Sequence, residues 1–403
     1  MKILLVNQFF HPDLAATSQI MTDLAVDLAA RGEVVHVVAG SGTYLGGTQL
    51  PAFESYRGVQ IHRARGTSLG KGSIPRRLAD YLSFFAAAAA RVVTVEKPDL
   101  VITLSTPPLV SLLGGLVRTA RRNTRFIYWV QDLYPDVAVA FGVLKPRSPA
   151  TLAFEALSRA SLARADRVVA IGEVMGEKLI AKGLRPERLR VIHNWSDAAI
   201  GDVPEAENRF LDRHRLRGMF VVEYSGNMGR GHEFGTLLNA AERLRHREDM
   251  AFLFIGDGAK RPEIERAVAE RRLKNVKLLP YQPREELPQS LGAASVQAIS
   301  LSNGLEGLIV PSKLYGALAA GKPIIHFGSR ESEIGRVLER ESCGRAIAHG
   351  DVDGAVAFLE ELAGNPEAAR AMGARGRAAF LARYDRPHAT ASWHALCREV
   401  VGA

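Results

Sequence analysis

Short apolar runs alternate with amphipathic stretches along most of this 403-residue chain. Residues 2–7, KILLVN, have the length and apolarity of a buried strand. After a loop over 8–17, residues 18–32 carry apolar side chains at helical spacing. Ser18 stands where a cap belongs and Gly32 just past the end. A second apolar run, 33–40, completes a strand–helix–strand unit of parallel type. The same pattern predicts strands near 59–63 and over 98–105, 125–132, 167–172 and 188–195, with a helix over 76–97. Leu100–Val117 is uncharged and near spanning length, but Pro107 and Pro108 interrupt it, so it reads as strand, loop and helix.

Residues 196–217 are polar and break the rhythm. The alternation then restarts, with strands over 220–226, 251–258, 276–280, 295–300 and 323–328 and helices over 233–247, 260–272 and 312–320. From Ala368 the chain reads as helix, and after a break at Tyr384–Pro387 a last helix runs to about 401. The expected fold is α/β, two doubly wound Rossmann-like domains facing a cleft. The expected domains are 1–200 and 201–385, with helix 386–403 returning to the first.

Composition sharpens this picture in two places. The net charge is +9, and almost all of it is local: residues 55–125 hold twelve Lys or Arg against three acids. Such a concentration attracts polyanions, anionic lipid or phosphate-bearing substrates, or is simply a solvated basic surface. Around Lys71–Phe85 the basic residues alternate with Ile74, Leu78, Tyr81, Leu82 and Phe84, which suits either a membrane interface or a helix docked in the core. Two cysteines, Cys343 and Cys397, make neither a disulfide framework nor a zinc motif. The apolar start is broken by Asn7 and Gln8 and is not of signal-peptide type.

The segment with most chemical content is GLEGLIVPSKLYGALAAGKPII, 304–325. It reads as a loop entering a helix near Pro311 or Ser312, which ends at Gly321 before a strand. A helix start offers free N–H groups and the positive end of a dipole, and Lys313 adds a full charge there. That combination suits a diphosphate; without a ligand it is a tight helix–strand connection.

On these residues the chain resembles glycosyltransferase family 4, retaining enzymes of GT-B fold. It is most similar to the bacterial branch that makes cell-surface polysaccharides, where a PSKLY-type segment is usual. The resemblance covers most of the chain and implies further roles. YSGNMGRGHEFG, 224–235, resembles the glycine loop of the donor domain. That likeness assigns Gly226 and Asn227 to the donor and Arg230 to its diphosphate, with His232 alongside. FIGDG, 254–258, resembles a strand-end turn and assigns Gly256. LPYQP, 279–283, resembles the segment at the nucleobase and assigns Tyr281 and Gln282. Pro311, Ser312, Lys313 and Leu314 fall on the donor signature. In the first domain YWVQDLYPDVAVAFGVL, 128–144, resembles the part facing the sugar, with Gln131 as a hydroxyl partner and Asp132 as an acceptor-orienting or proton-accepting group. Asp13 and Thr17 are the acceptor-side picks from the loop after the first strand.

Two departures from the family pattern stand out. Its two glutamates eight positions apart would fall at Leu308 and Gly316; neither is present, and Glu306 lies two residues early. A histidine common in the first domain is replaced by Gln131. Asp351-Val352-Asp353 looks like a metal-binding triplet but precedes a helical stretch, where capping explains it.

The resemblance therefore implies a glycosyltransferase with Arg230, Lys313 and Asp132 at the reaction. It would move a sugar from a nucleoside-diphosphate donor, UDP favoured, to a polyprenyl-diphosphate-linked saccharide. The implied setting is the inner face of the plasma membrane, with no cofactor, no essential metal and no nucleic acid. A nucleotide-sugar 2-epimerase and an inactive GT-B-like binding protein remain as alternatives. No GxGxxG follows Val6, which disfavours a nicotinamide dehydrogenase.

Overall fold

The computed structural model describes residues 1–13, 15–42, 49–67, 69, 74–201 and 203–402, leaving aside the side chains of 74, 75 and 77. Lys71 of the basic segment lies outside these residues. The chain divides into two compact units. The first is Met1–His193 with Gly307–Ile309 and Ala389–Ala403; the second is Asn194–Glu306 with Val310–His388.

Unit 1 is built on eight strands: β1 (Lys2–Val6), β2 (Val34–Gly40), β3 (Phe53–Tyr56), β4 (Val59–Ala64), β5 (Leu100–Thr103), β6 (Arg125–Val130), β7 (Arg167–Ala170) and β8 (Leu189–Val191). Their order is β3-β4-β2-β1-β5-β6-β7-β8, parallel except for the β3/β4 hairpin, which sequence pattern did not predict. β1 and β5 lie side by side while the chain winds outward from them in both directions. Their carboxyl ends therefore form the crevice where doubly wound sheets bind ligands. β1, β5 and β6 are buried along nearly their whole length, as strands covered by helices on both faces must be.

The uncharged stretch after Leu100 resolves into β5 and a helix, Ser111–Ala120. Among the described residues no helix is long and apolar enough to cross a membrane. The last helix, Arg386–Gly402, sets Trp393 against Trp129 with ring centroids 4.6 Å apart, both rings fully buried.

Three details depart from the sequence reading. The first helix is Ala16–Ala30, not one capped by Ser18. Asp13 Oδ1 accepts the Ala15 N–H at 2.7 Å, so the chain enters the helix earlier and Ser18 is buried inside its first turn. The polar stretch 196–217 is not a free linker: it forms a helix, Arg209–Arg213, whose Phe210 and Leu211 join Leu216 in a core cluster with β-strand residues Val221 and Leu253.

The basic patch is also smaller than its composition. Arg63 is buried and bonds Glu54 and the His11 carbonyl. Arg118 and Arg125 pair with Asp166, and Arg121 donates to the last carbonyls of helix Ile74–Thr94. On that helix Phe84 turns into the core, whereas Leu78 and Leu82 are 54% and 61% exposed.

Unit 2 has six parallel strands: β9 (Phe220–Ser225), β10 (Met250–Ile255), β11 (Val276–Leu279), β12 (Val296–Ser300), β13 (Ile324–Phe327) and β14 (Gly344–Ile347). Their order, β11-β10-β9-β12-β13-β14, is the doubly wound one with its switch between β9 and β12. Tyr224, Phe234, Phe252, Phe254 and Phe358 fill the core on one face.

Glu223, in mid-β9, is wholly buried opposite Gln297, and neither carboxylate oxygen makes a hydrogen bond in the structure. Burial pushes its carboxyl up to about 8. The folded state thus holds this proton over a pH range where the unfolded chain has lost it. Its contribution is complete below pH 4.5 and is lost as pH rises through 8. Glu223→Gln, which cannot ionise, should raise stability at pH 8 by about 1–3 kcal/mol, because the folded state no longer has to bury a charge or hold a proton. It should also flatten the decline in urea midpoint between pH 6 and 9; an equally steep decline in the variant would exclude this origin.

Candidate active site

β9 and β10 end in glycines that approach each other backbone to backbone. Gly226 donates its N–H to Ile255 O at 2.9 Å, and Gly256 donates to Leu279 O at 3.0 Å. Both lie at left-handed φ, +122° and +127°. A Cβ on Gly256 would stand 2.2 Å from the Gly226 carbonyl oxygen; one on Gly226 would stand 2.8 Å from Lys313 Cε. The strand ends form a cradle without side chains, and the stem of Lys313 lies across it.

Lys313 opens helix Lys313–Ala319, with Ser312 as the cap residue. The turn starts with 3₁₀-type bonds, Leu314 N to Pro311 O and Tyr315 N to Ser312 O, both 3.2 Å, which leave the preceding amides outside the ladder. The Lys313 ammonium donates to Asn227 O at 3.1 Å and stands 5.0 Å from the centre of the Tyr224 ring. Tyr224 donates its hydroxyl to the same carbonyl at 2.8 Å. Burial lowers the Lys313 amine to about 8.

The other residues singled out in unit 2 fall into two groups. Asn227, Tyr281 and Gln282 stand with the cradle. Tyr281 donates to Asp257 O at 3.2 Å with half of its surface exposed, and Gln282 donates to Pro280 O at 2.9 Å. Arg230 is exposed on the loop after β9 and makes no ion pair among the described residues. Glu306 folds back on its own turn, accepting the Gly304 N–H at 2.7 Å.

Leu314 stands apart: its side chain is fully buried in the core and its amide is spent on Pro311. His232 does not supply charge either. Its Nδ1 is 2.6 Å from Ser300 O, and burial, with the field of Lys313, drives it down to about 3, so the ring is neutral. Lys260, which sequence reading passed over, also acts on that ring through its charge. Arg261 was missed as well: it donates to the carbonyls of Gly256 and Leu279 and so fixes the strand-end turns.

Gly316 stands one turn beyond Lys313, and a Cβ there would meet only Leu291 Cδ1, at 3.6 Å. The metal-like triplet is accounted for by local bonds: Asp351 caps helix Val352–Gly364 through Gly354 N at 2.8 Å, and Asp353 pairs with Arg243.

In unit 1 the groups gather at the carboxyl ends of β1, β5 and β6. Ser105 Oγ accepts the N–H groups of both Gln131, at 3.1 Å, and Asp132, at 3.0 Å. Asp132 forms an antiparallel bridge with Ile309, and Leu133 donates to Leu308 O at 2.9 Å, so the buried Leu308 belongs with this strand end. Loss of water around Asp132 pushes its carboxyl up to about 6. Asp13 is buried and engaged at Ala15 N, with Thr17 in the first turn that follows. His11 stacks on Tyr56 at 3.7 Å, a structural contact.

Two doubly wound units, one with a glycine cradle and a lysine at its switch point, define the GT-B class of fold. Residues 16–195 match the glycosyl transferase 4-like domain and residues 220–365 match the glycosyl transferases group 1 domain. The chain is 28% identical over 290 residues to the probable glycosyltransferase WbjE of Pseudomonas aeruginosa, covering 72% of each protein. It is 26% identical over 357 residues to the putative colanic acid biosynthesis glycosyl transferase WcaI of Escherichia coli K12, covering 84% of this chain and 86% of that one. Among solved structures it superposes on HepE of Anabaena in complex with UDP-glucose with a TM-score of 0.71, at 16% identity, over 99% of this chain and 100% of that one. The chain is a glycosyltransferase.

Two glycines make opposite predictions. Gly256→Ala forces a side chain against the Gly226 carbonyl at positive φ and should destabilise unit 2 by about 2–4 kcal/mol. Gly316→Ala enters open space in a helix and should stabilise it by about 0.5–1 kcal/mol. Urea unfolding of the two variants checks both signs.

Proposed function

We propose that this enzyme transfers a sugar from a nucleoside-diphosphate donor, UDP favoured, to a lipid-linked saccharide in surface polysaccharide synthesis, with retention of anomeric configuration. The observation that carries the reading is Lys313 lying against the Gly226 strand end with its ammonium on Asn227 O, which puts a cation beside a backbone free of side chains, as a diphosphate requires. UDP-glucose in HepE supports the donor class, and the colanic acid role printed for WcaI supports the product class.

In this reading the glycine cradle admits the diphosphate to backbone contact. Lys313, Arg230 and the helix start at Ser312 offset the charge that grows on the leaving group, without an essential metal. Tyr281 and Gln282 face the base, and Glu306 lies on the sugar-side loop. Asp132, with Gln131 beside it, orients the acceptor hydroxyl and takes its proton; Asp13 and Thr17 line the acceptor side. No protein nucleophile is required: the departing phosphate guides the acceptor on the same face, and the acceptor oxygen bonds the anomeric carbon as the sugar–phosphate bond breaks and Asp132 takes the proton. Leu78 and Leu82, exposed on a helix that also carries Arg76, support peripheral contact with an anionic inner membrane face.

The direct test incubates the enzyme with UDP-sugars and lipid-linked saccharides, follows free UDP, and reads the product anomer by NMR. No thermal shift with any UDP compound and no UDP release would refute the reading. The pH profile adds a sharper check. An anion favours protonated Lys313, so UDP affinity should fall as pH rises above about 8, while kcat/KM should fall below about 6 as Asp132 takes up its proton. Lys313→Ala should weaken UDP binding by roughly 10–100-fold and abolish the alkaline limb. Asp132→Asn should abolish the acid limb together with most turnover.

A further inference from the structure

At the carboxyl edge of unit 2, three loops are tied together by two side chains. His349, just after β14, places Nε2 2.9 Å from Leu301 O and Nδ1 3.1 Å from Glu233 Oε2. Both facing atoms are acceptors, so full satisfaction of the ring requires a proton on each link.

Glu233 is held just as closely. Its Oε1 accepts the Thr236 N–H at 3.1 Å and its Oε2 accepts the Thr236 hydroxyl at 3.0 Å; Gly350 donates its N–H to that hydroxyl at 2.9 Å. The backbone of Glu233 exchanges two bonds with Ser300 Oγ, donating at 2.8 Å and accepting at 2.6 Å. Beside it, Ser302 donates to Gly231 O at 2.9 Å. The loop leaving β12 is thus gripped at Leu301 by the imidazole and at Ser302 by the loop after β9. Beyond those two points, Leu305 returns to Ser302 O at 3.3 Å and Glu306 to Gly304 N.

We propose that His349 and Glu233 are a positioning pair that fixes loop Leu301–Glu306 and, through it, the sugar half of the donor site. This rests on the reading of unit 2 as the donor unit. Lys313 and the Gly256 strand end are held by other contacts, to Asn227 O and from Arg261, so in this reading the pair bears on the sugar more than on the diphosphate. His349→Ala frees Leu301 O and leaves Glu233 with Thr236 alone. Glu233→Gln keeps the link, because its amide N–H donates to Nδ1 of a neutral His349 while Nε2–H stays on Leu301 O.

The test uses the full chain, with hydrogen exchange over 301–306 and calorimetric binding of UDP and of UDP-glucose. In His349→Ala, exchange of 301–306 should quicken by about tenfold or more while the β12 amides stay protected. UDP affinity should stay within about twofold, and the UDP-glucose to UDP affinity ratio should drop. Glu233→Gln should restore both protection and ratio, which general loss of stability would not allow. Unchanged exchange in His349→Ala overturns the pair, as does a Glu233→Gln variant that behaves like the alanine. Faster exchange with an unchanged ratio overturns its link to the sugar. Should His349→Ala not fold, Glu233→Ala against Glu233→Gln gives the same comparison. If Lys313→Ala leaves UDP affinity untouched, the donor-unit reading fails while the exchange result stands.

Discussion

The structure of unit 2 depends on one close approach: the backbone of Gly256 against the carbonyl of Gly226, where no Cβ fits. Parallel strands lie about 4.8 Å apart, and the chain must leave both ends at once toward helices on the sheet's faces. Only glycine tolerates the left-handed turn at each exit together with the contact between them. Arg261 locks that geometry from below, and Lys313 crosses it from the next turn of the fold. A bare, cationic strand end is the consequence, and it is the feature to which a diphosphate can come closest.

Much of this was legible in the sequence because it depends on period and punctuation. The apolar runs around Leu4, Ile102, Phe252 and Ile325 mark strands buried on both faces, and Gly321 marks a helix end. The β3/β4 hairpin was not legible, since Phe53–Tyr56 alternates around exposed positions and resembles a loop. Segment 196–217 reads as a domain boundary because polar residues surround the few apolar ones; Phe210 and Leu211 dock it all the same. Local polarity reports composition, whereas docking depends on where two side chains meet a distant sheet.

The candidate site divides along the same line. The helix-start lysine Lys313 carries its chemistry in sequence, whereas Gly226 and Gly256 come from the family resemblance. The partners of these residues were legible in neither. His232 reads as a basic neighbour of Arg230, yet burial makes it neutral, with its Nδ1–H donating to Ser300 O. His349 and Glu233 are separated by 116 positions and meet only because β14 and β9 end on the same edge. The basic count of 55–125 misleads for the same reason: Arg63 and Arg121 are spent on internal carbonyls.

The absent acid at Gly316 follows from the same economy of charge. A glutamate one turn beyond Lys313 would share its helix face, the spacing at which opposite charges pair. The ammonium would then hold a counter-ion before any ligand arrived, and its pull on a diphosphate would weaken. With glycine at that position the cation faces the Asn227 carbonyl and the Tyr224 ring. Partial charges of that kind hold the side chain in place without neutralising it, and the depressed amine records the cost. In the proposed donor reading an incoming diphosphate would relieve that cost, so charge left uncompensated in the free enzyme would contribute to binding.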